Sequence, residues 1–371
     1  MKKNGVAILY LSVGSGHQVA AEAISNYIKK TYPDMPVIVE DPFTNVIEVL
    51  PSVFNALQTV STFLAPNIYD LAWRRKINYD SYQWVEDINL LQNYLINKIS
   101  QKSIDKIIST HALPSILSVG LKKKNIIKQA YSVITDFGTH SFWPASGIDK
   151  YFVSNDELKN TLIYRGIKEN TISVTGIPIK DNLISKNRIK PIEKKIKLLM
   201  VLGAMRSGGY IHIKQYLKDI IKGIKENHKY FELTIVTGHH KEIKKDVLKI
   251  CKGIKLDVKI LGYVKKMASL MARHDVLITK PGGLIISEAL SIGLCIVLLK
   301  PGPGQEIANT EFLARNGIAL NGENAEQFNF SLNYLIKNPK MIESYKAKSK
   351  KFGFVNSSKR ICELVFKELT A

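Results

Sequence analysis

The residues of this chain with the clearest chemical potential lie between positions 279 and 309, TKPGGLIISEALSIGLCIVLLKPGPGQEIAN. An apolar run over 276–279 predicts a strand that enters Lys280-Pro281-Gly282-Gly283 and then a helix carrying Leu284, Ser287 and Glu288. Glycines just ahead of a helix let the backbone approach a ligand, and the free N–H groups and positive dipole end of the helix suit phosphate. Glu288 falls about one turn into that helix, where a carboxylate can accept from the two hydroxyls of a ribose. After a second apolar strand, a Pro/Gly loop ends in Gln305, Glu306 and Asn309, polar groups suited to sugar hydroxyls. Taken alone, Gly282-Gly283 is equally a strand-to-helix turn and Glu288 a solvated helix residue; the whole ordered string points to a nucleotide sugar.

A second chemical group stands near the start. His17 follows the glycine loop Gly14-Ser15-Gly16 and precedes an Ala-rich helix. The positive end of a helix disfavours imidazolium, and a neutral imidazole is what a general base requires. Read from its neighbours alone, His17 is also compatible with a structural histidine. Ile134-Thr135-Asp136-Phe137-Gly138-Thr139-His140, with Trp143, forms a third group. Asp136 there could assist a base and His140 could meet an acceptor or phosphates, or both simply hold the loop.

The elements that must position these groups repeat. Strand-length apolar runs occur at 6–11, 37–40, 106–110, 130–135 and 151–153, and again at 196–202, 231–236, 259–261, 276–279 and 295–299. Helical stretches alternate with them, which predicts α/β architecture with two Rossmann-like, doubly wound domains facing a cleft. Each half opens with strand, glycine loop and helix, and ligands of such sheets sit beyond the carboxyl ends of the strands. We place the first domain at 1–185, with a helical and aromatic insertion over 43–99, and the second at 186–345. A basic helical tail over 346–371 is expected to cross back to the first domain. The insertion would be either a wall or membrane-contacting surface for a greasy acceptor, or an ordinary helical layer.

The net charge is +21, and it is uneven. Residues 1–180 carry 19 Lys and Arg against 15 Asp and Glu; residues 181–371 carry 34 against 17. Such a surface serves nucleic acid, anionic lipid or an anionic cosubstrate, or is a solvated lysine face. The three cysteines show no ligand spacing, which argues for a reducing compartment and against structural zinc. No signal peptide and no membrane-spanning run is expected.

The motifs together resemble the monogalactosyldiacylglycerol synthase and processive diacylglycerol glucosyltransferase family. The likeness rests on 279–309, on the His17 loop with Ala20, Ala21 and Ala23, on Thr135-Asp136-Phe137 before Asp149-Lys150-Tyr151-Phe152-Val153, on His111 to Pro114, on Thr175-Gly176-Ile177-Pro178 and on Leu261-Gly262-Tyr263-Val264. It covers about 8–313. It implies the GT-B glycosyltransferase fold and an inverting transfer of a hexose from a UDP-sugar to a lipid hydroxyl, most plausibly of diacylglycerol. Implied catalytic residues are His17 and Asp136. Implied donor-binding residues are Gly16, Arg206, Val264, Gly282, Gly283, Leu284, Glu288, Gln305, Glu306 and Asn309, with His140 and Trp143 on the acceptor side. Helix N-termini would stabilise the departing diphosphate, so no metal or other cofactor is expected, and no D-x-D motif is seen. Expected partners are the UDP-sugar, the lipid and an anionic membrane surface on the cytoplasmic side, not nucleic acid. The chain departs from the family in its second glycine loop, 203–209, where Arg206 would offer the diphosphate a direct charge. The alternatives are transfer to a polyprenyl-linked acceptor, a nucleotide-sugar epimerase of the same architecture, or a basic lipid- or nucleic-acid-binding protein without catalysis.

Overall fold

The computed structural model describes residues 5–12, 15–46, 79–139, 143, 146–180, 195–202, 207–252 and 257–367, except the side chains of 79–82, 207–213, 215 and 216. It divides into two compact units, one formed by 1–181 with 354–371 and the other by 182–353.

In the first unit, six strands, β1 (Gly5–Leu9), β2 (Val37–Glu40), β3 (Ile104–Ser109), β4 (Gln129–Val133), β5 (Lys150–Val153) and β6 (Ile172–Val174), pair in the order β2-β1-β3-β4-β5-β6. Every pairing is parallel. The apolar run of β1 is buried on both faces. Ala7 and Leu9 enter one core with Ile107, Ile116 and Leu117. Val6 and Ile8 enter another with Ala21, Ile24 and Ile28 of helix α1 (Gly16–Thr31). Two-sided burial is why the strand reads as continuously hydrophobic. The second core is completed by Ile361, Cys362, Val365 and Phe366, contributed by the C-terminal helix Ser357–Val365 and the residue after it. Gly176, at φ +77, admits Phe354 where a Cβ would collide with it, and so fixes where the chain re-enters this unit.

Residues 47–78 of the expected insertion lie outside the described residues. On either side stand the short helix Pro42–Val46, a 3-10 helix Tyr79–Asp87 and the helix Asn89–Ser100. Leu91, Leu95 and Ile99 of the last are buried in the sheet's core, so that segment is an ordinary helical layer.

The second unit repeats the plan. Strands β7 (Ile196–Val201), β8 (Phe231–Val236), β9 (Val258–Leu261), β10 (Val276–Thr279), β11 (Cys295–Leu299) and β12 (Ala319–Gly322) pair, all parallel, in the order β12-β11-β10-β7-β8-β9. Each sheet therefore reverses its winding once, between β1 and β3 in the first and between β7 and β10 in the second. At such a reversal the following loops diverge to opposite faces and leave a crevice at the carboxyl edge.

Candidate active site

His17 stands at the reversal point of the first sheet. It is the second residue of α1, which follows β1, and it faces the segment that leaves β3. Two contacts tie it to Thr110: its Nδ1 lies 2.9 Å from the Thr110 carbonyl oxygen, and the Thr110 hydroxyl donates to the His17 carbonyl at 2.9 Å. Thr135 Oγ1, just beyond β4, lies 2.8 Å from the same Nδ1. A carbonyl oxygen only accepts, so Nδ1 must carry the proton and Thr135 Oγ1 shares it as a second acceptor. The neutral ring then keeps its lone pair on Nε2. Burial holds the His17 pKa below the ordinary histidine value of 6.5, against the opposing pull of the Asp136 carboxylate and the Thr110 carbonyl. The largest cause is desolvation. Asp136 is itself buried and acts on His17 through charge, while its own carbonyl accepts from the Ser154 hydroxyl at 2.7 Å. The ring of His111 meets that of His17 edge to face, with centroids 4.8 Å apart. His111 is the N-cap of helix Ala112–Lys123 and accepts on Nδ1 from the Leu113 N–H at 3.2 Å.

The second unit's reversal point carries the glycine loop. Thr279 at the end of β10 reaches the Val201 carbonyl at the end of β7, 3.4 Å away. Gly282 is the N-cap of helix Gly283–Ile292, whose first helical bond is from the Ile286 N–H to the Gly282 carbonyl, 3.1 Å. The N–H groups of Gly283, Leu284 and Ile285 therefore precede the helical ladder and suit an anion. Gly282 has φ −71 and ψ 137, which any residue adopts, and a Cβ there would meet only Ile285 Cγ2, at 3.7 Å. Neither backbone strain nor packing calls for glycine here; open approach from outside does. Glu288 is half-buried on the same helix, five residues beyond Gly283. Glu306, in the first turn of helix Gln305–Arg315, accepts from the Gly302 N–H and pairs with Lys280 at 2.8 Å. Among the described residues, no group of three or more His, Cys, Asp or Glu side chains lies together to hold a metal ion.

This geometry agrees with what the chain is similar to. Residues 17–179 match the monogalactosyldiacylglycerol synthase family, and residues 148–366 match the family of UDP-N-acetylglucosamine 2-epimerase. Processive diacylglycerol beta-glucosyltransferase of Bacillus pumilus is 26% identical over 96% of this chain and 93% of its own length. The Bacillus subtilis protein of the same name is 31% identical over 64% of this chain, and that match spans 62% of the relative's length. The chain belongs to the processive diacylglycerol glucosyltransferase family. Its second half also belongs to the domain family named for the epimerase. Solved structures agree on the fold: MurG of Acinetobacter baumannii has a TM-score of 0.66 at 15% identity, covering 98% of this chain and 99% of its own. UDP-GlcNAc 2-epimerase of Neisseria meningitidis has 0.63 at 17%, covering 98% and 100%. The fold is the GT-B double-Rossmann fold.

Not every residue implied by the family resemblance stands where that role requires. Arg206 and His140 lie outside the described residues. Trp143 is a correction: it is 4% exposed, packs edge-on against Tyr151 in the first unit's core, and its carbonyl accepts from Arg165 at 2.7 Å. Its ring is spent on the core, not on an acceptor. Asn309 is a second correction, because it is fully buried and its amide donates to the Pro281 carbonyl at 2.9 Å. It braces the glycine loop instead of offering that amide to sugar hydroxyls. Gln305 is half-buried at the start of its helix, and Val264 is half-buried in the loop after β9. There Tyr263 stacks on His239, with centroids 4.1 Å apart and planes 20° from parallel. Sequence reasoning missed Thr110, Thr135 and Lys280 as working residues. For the threonines the only signal was their place at the last residue of a predicted strand; for Lys280 it was its place ahead of the glycines.

Proposed function

We propose that this protein transfers a hexose from a UDP-sugar to the hydroxyl of a diacylglycerol, inverting the anomeric configuration, with His17 as the general base. The observation that carries the reading is the Nδ1 contact of His17 with the Thr110 carbonyl, which leaves the basic lone pair on Nε2 at a sheet reversal. In that role Nε2 takes the proton of the lipid hydroxyl while its oxygen bonds to the anomeric carbon. The bond from that carbon to the diphosphate breaks, and the electron pair leaves with UDP. The N–H groups of Gly283 and Leu284 meet the charge that develops on the diphosphate, a preorganised stabilisation. Glu288 accepts from the ribose hydroxyls, and the loop at Val264 receives the base. The loops after β9 and β10 stand three strand spacings apart, about 14 Å, which suits a ligand built of base, ribose and diphosphate. Asp136 stabilises the imidazolium formed on proton transfer.

The basic excess of the second half supports work at an anionic lipid surface on the cytoplasmic side, and among the described residues no helix is long and apolar enough to cross a membrane. Cosedimentation with anionic, diacylglycerol-containing vesicles at low salt tests that part; failure to bind removes it. The main test is UDP release from a panel of UDP-sugars, with and without diacylglycerol vesicles, by wild type and His17→Ala. Lipid-dependent release lost in the variant supports the reading, and absence of UDP binding overturns it. A sugar carried onto a polyprenyl acceptor, or a donor epimerised with no sugar released to lipid, would replace it.

A further inference from the structure

Lys280 is a lysine with only 8% of its surface exposed, and lysines are seldom so buried without a partner. Its ammonium lies 2.8 Å from Glu306 Oε2, and the Gly302 N–H donates to that same oxygen. A Cβ on Gly302 would come within 3.1 Å of Oε2 and 3.5 Å of the Lys280 ammonium, so the glycine makes room for the pair. One helical turn further on, Asn309 grips the Pro281 carbonyl. One face of helix Gln305–Arg315 therefore clamps the two residues immediately before Gly282. Both contacts on the Glu306 carboxylate converge on Oε2. Among the described residues nothing reaches Oε1, and the side chain keeps 23% of its surface exposed. The carboxylate is anchored by one oxygen and presents the other.

We propose that Lys280 is a positioning residue that orients Glu306, and that the Lys280–Glu306 pair selects neutral hexosyl donors over hexuronosyl donors. The proposal rests on the reading of this edge as the sugar end of a UDP-sugar site. Oε1 is an acceptor, so it requires hydroxyl protons, which a hexose supplies at every free position. A hexuronate carries a carboxylate in place of the C6 hydroxymethyl group. That group has no proton to give and bears the same charge as Glu306, an arrangement that rejects a competitor by repulsion. Lys280 offsets this only in part, because its ammonium sits on the Oε2 side of the carboxylate.

The test is a cycle of variants in the full-length protein: Glu306→Gln, Lys280→Met and the two combined, with UDP-glucose and UDP-glucuronate as donors and diacylglycerol vesicles as acceptor. Glu306→Gln keeps the side-chain shape and leaves Lys280 an uncompensated cation. It should narrow the glucose-to-glucuronate ratio of kcat/KM by about tenfold or more, the scale of one charge-assisted hydrogen bond. The double variant, with neither charge, should keep part of that narrowing, because the repulsion is gone but no uncompensated cation remains to attract the glucuronate. Lys280→Met should lower kcat/KM for UDP-glucose by about tenfold while UDP affinity, measured by calorimetry, stays within about threefold. Gly302→Ala, which crowds the same oxygen without removing a charge, should repeat the Lys280→Met effect on UDP-glucose. The proposal is overturned if Glu306→Gln leaves the glucose-to-glucuronate ratio at its wild-type value, or if Lys280→Met and Gly302→Ala both leave UDP-glucose turnover intact. Wild type that transfers glucose while the ratios stay fixed defeats this inference alone; wild type that transfers no hexose defeats the functional reading beneath it.

Discussion

Replacing Thr135 by valine tests the logic of the His17 site more sharply than removing the histidine. Two oxygens lie within bonding distance of His17 Nδ1, the Thr110 carbonyl at 2.9 Å and the Thr135 hydroxyl at 2.8 Å. If the carbonyl sets the tautomer, Nδ1 holds the proton and Thr135 is only a second acceptor. If the hydroxyl donated to Nδ1 instead, the proton would sit on Nε2 and the ring could not serve as a base there. Valine keeps the branched shape at this 7% exposed position and removes only the hydroxyl. With the carbonyl still in place no donor is left unsatisfied, so the loss is that of one neutral hydrogen bond, about 0.5–1.5 kcal/mol. That corresponds to a fall in kcat of about two- to twelvefold. His17→Ala, in contrast, should cost about 10²- to 10⁴-fold, the usual worth of a general base. The assay is initial-rate UDP release at saturating lipid, with KM for the UDP-sugar as the control that should not move. If Thr135→Val were as damaging as His17→Ala, the hydroxyl and not the carbonyl would fix the tautomer, and the assignment of Nε2 as the base would be wrong.

Four further outcomes follow from the same geometry. Because burial lowers the His17 pKa, the acid limb of kcat/KM should fall below pH 6.5, and Asp136→Asn, which removes a pull upward, should move it lower still in a pH–rate series. The same shift has a stability sign: the unfolded chain takes up the proton first, so His17 lowers stability as pH falls from the ordinary value of 6.5 to its own lower pKa, visible in denaturant midpoints. Gly282→Ala should leave thermal stability unchanged, since the site has room and ordinary φ, yet weaken UDP-sugar binding by about tenfold through lost phosphate contacts, read by calorimetry. Lys346→Met should do the reverse. Lys346 is 5% exposed and bonds Asp275 at 2.8 Å at the sheet edge opposite the glycine loop, so losing it should cost about 3 kcal/mol of stability and spare UDP affinity.

Much of this architecture was legible because buried parallel strands announce themselves. Both faces of β1 are covered, so nothing polar interrupts it, and the same holds for β11, for β10 up to Thr279 and for β7 beyond Lys197. The strands that escaped detection were β6 and β12. Each lies at the edge of its sheet, is three or four residues long, and is half-exposed over most of its length, so neither carries an uninterrupted apolar run. The helix Gly283–Ile292 was legible for the converse reason: its signals are local, a Gly-Gly entry and a glycine at φ +81 that closes it.

The site was legible only in part, and the division follows sequence distance. Residues acting through their own loop, such as His17 and Gly282, carry their signal in their neighbours. Residues acting through a partner far along the chain do not. Thr110 lies 93 residues from His17 and Thr135 lies 118 away, yet the carbonyl of the first fixes the tautomer on which a general-base role depends and the hydroxyl of the second shares its proton. Trp143 and Asn309 show the opposite failure, since their residue types suggested contact with a substrate and only tertiary packing reveals that the ring and the amide are already engaged. What connects the two kinds of residue is topology. Because each sheet reverses once, the loop after its opening strand and a loop from much later in the chain emerge side by side. A sequence displays the two loops separately; pairing them requires the strand order.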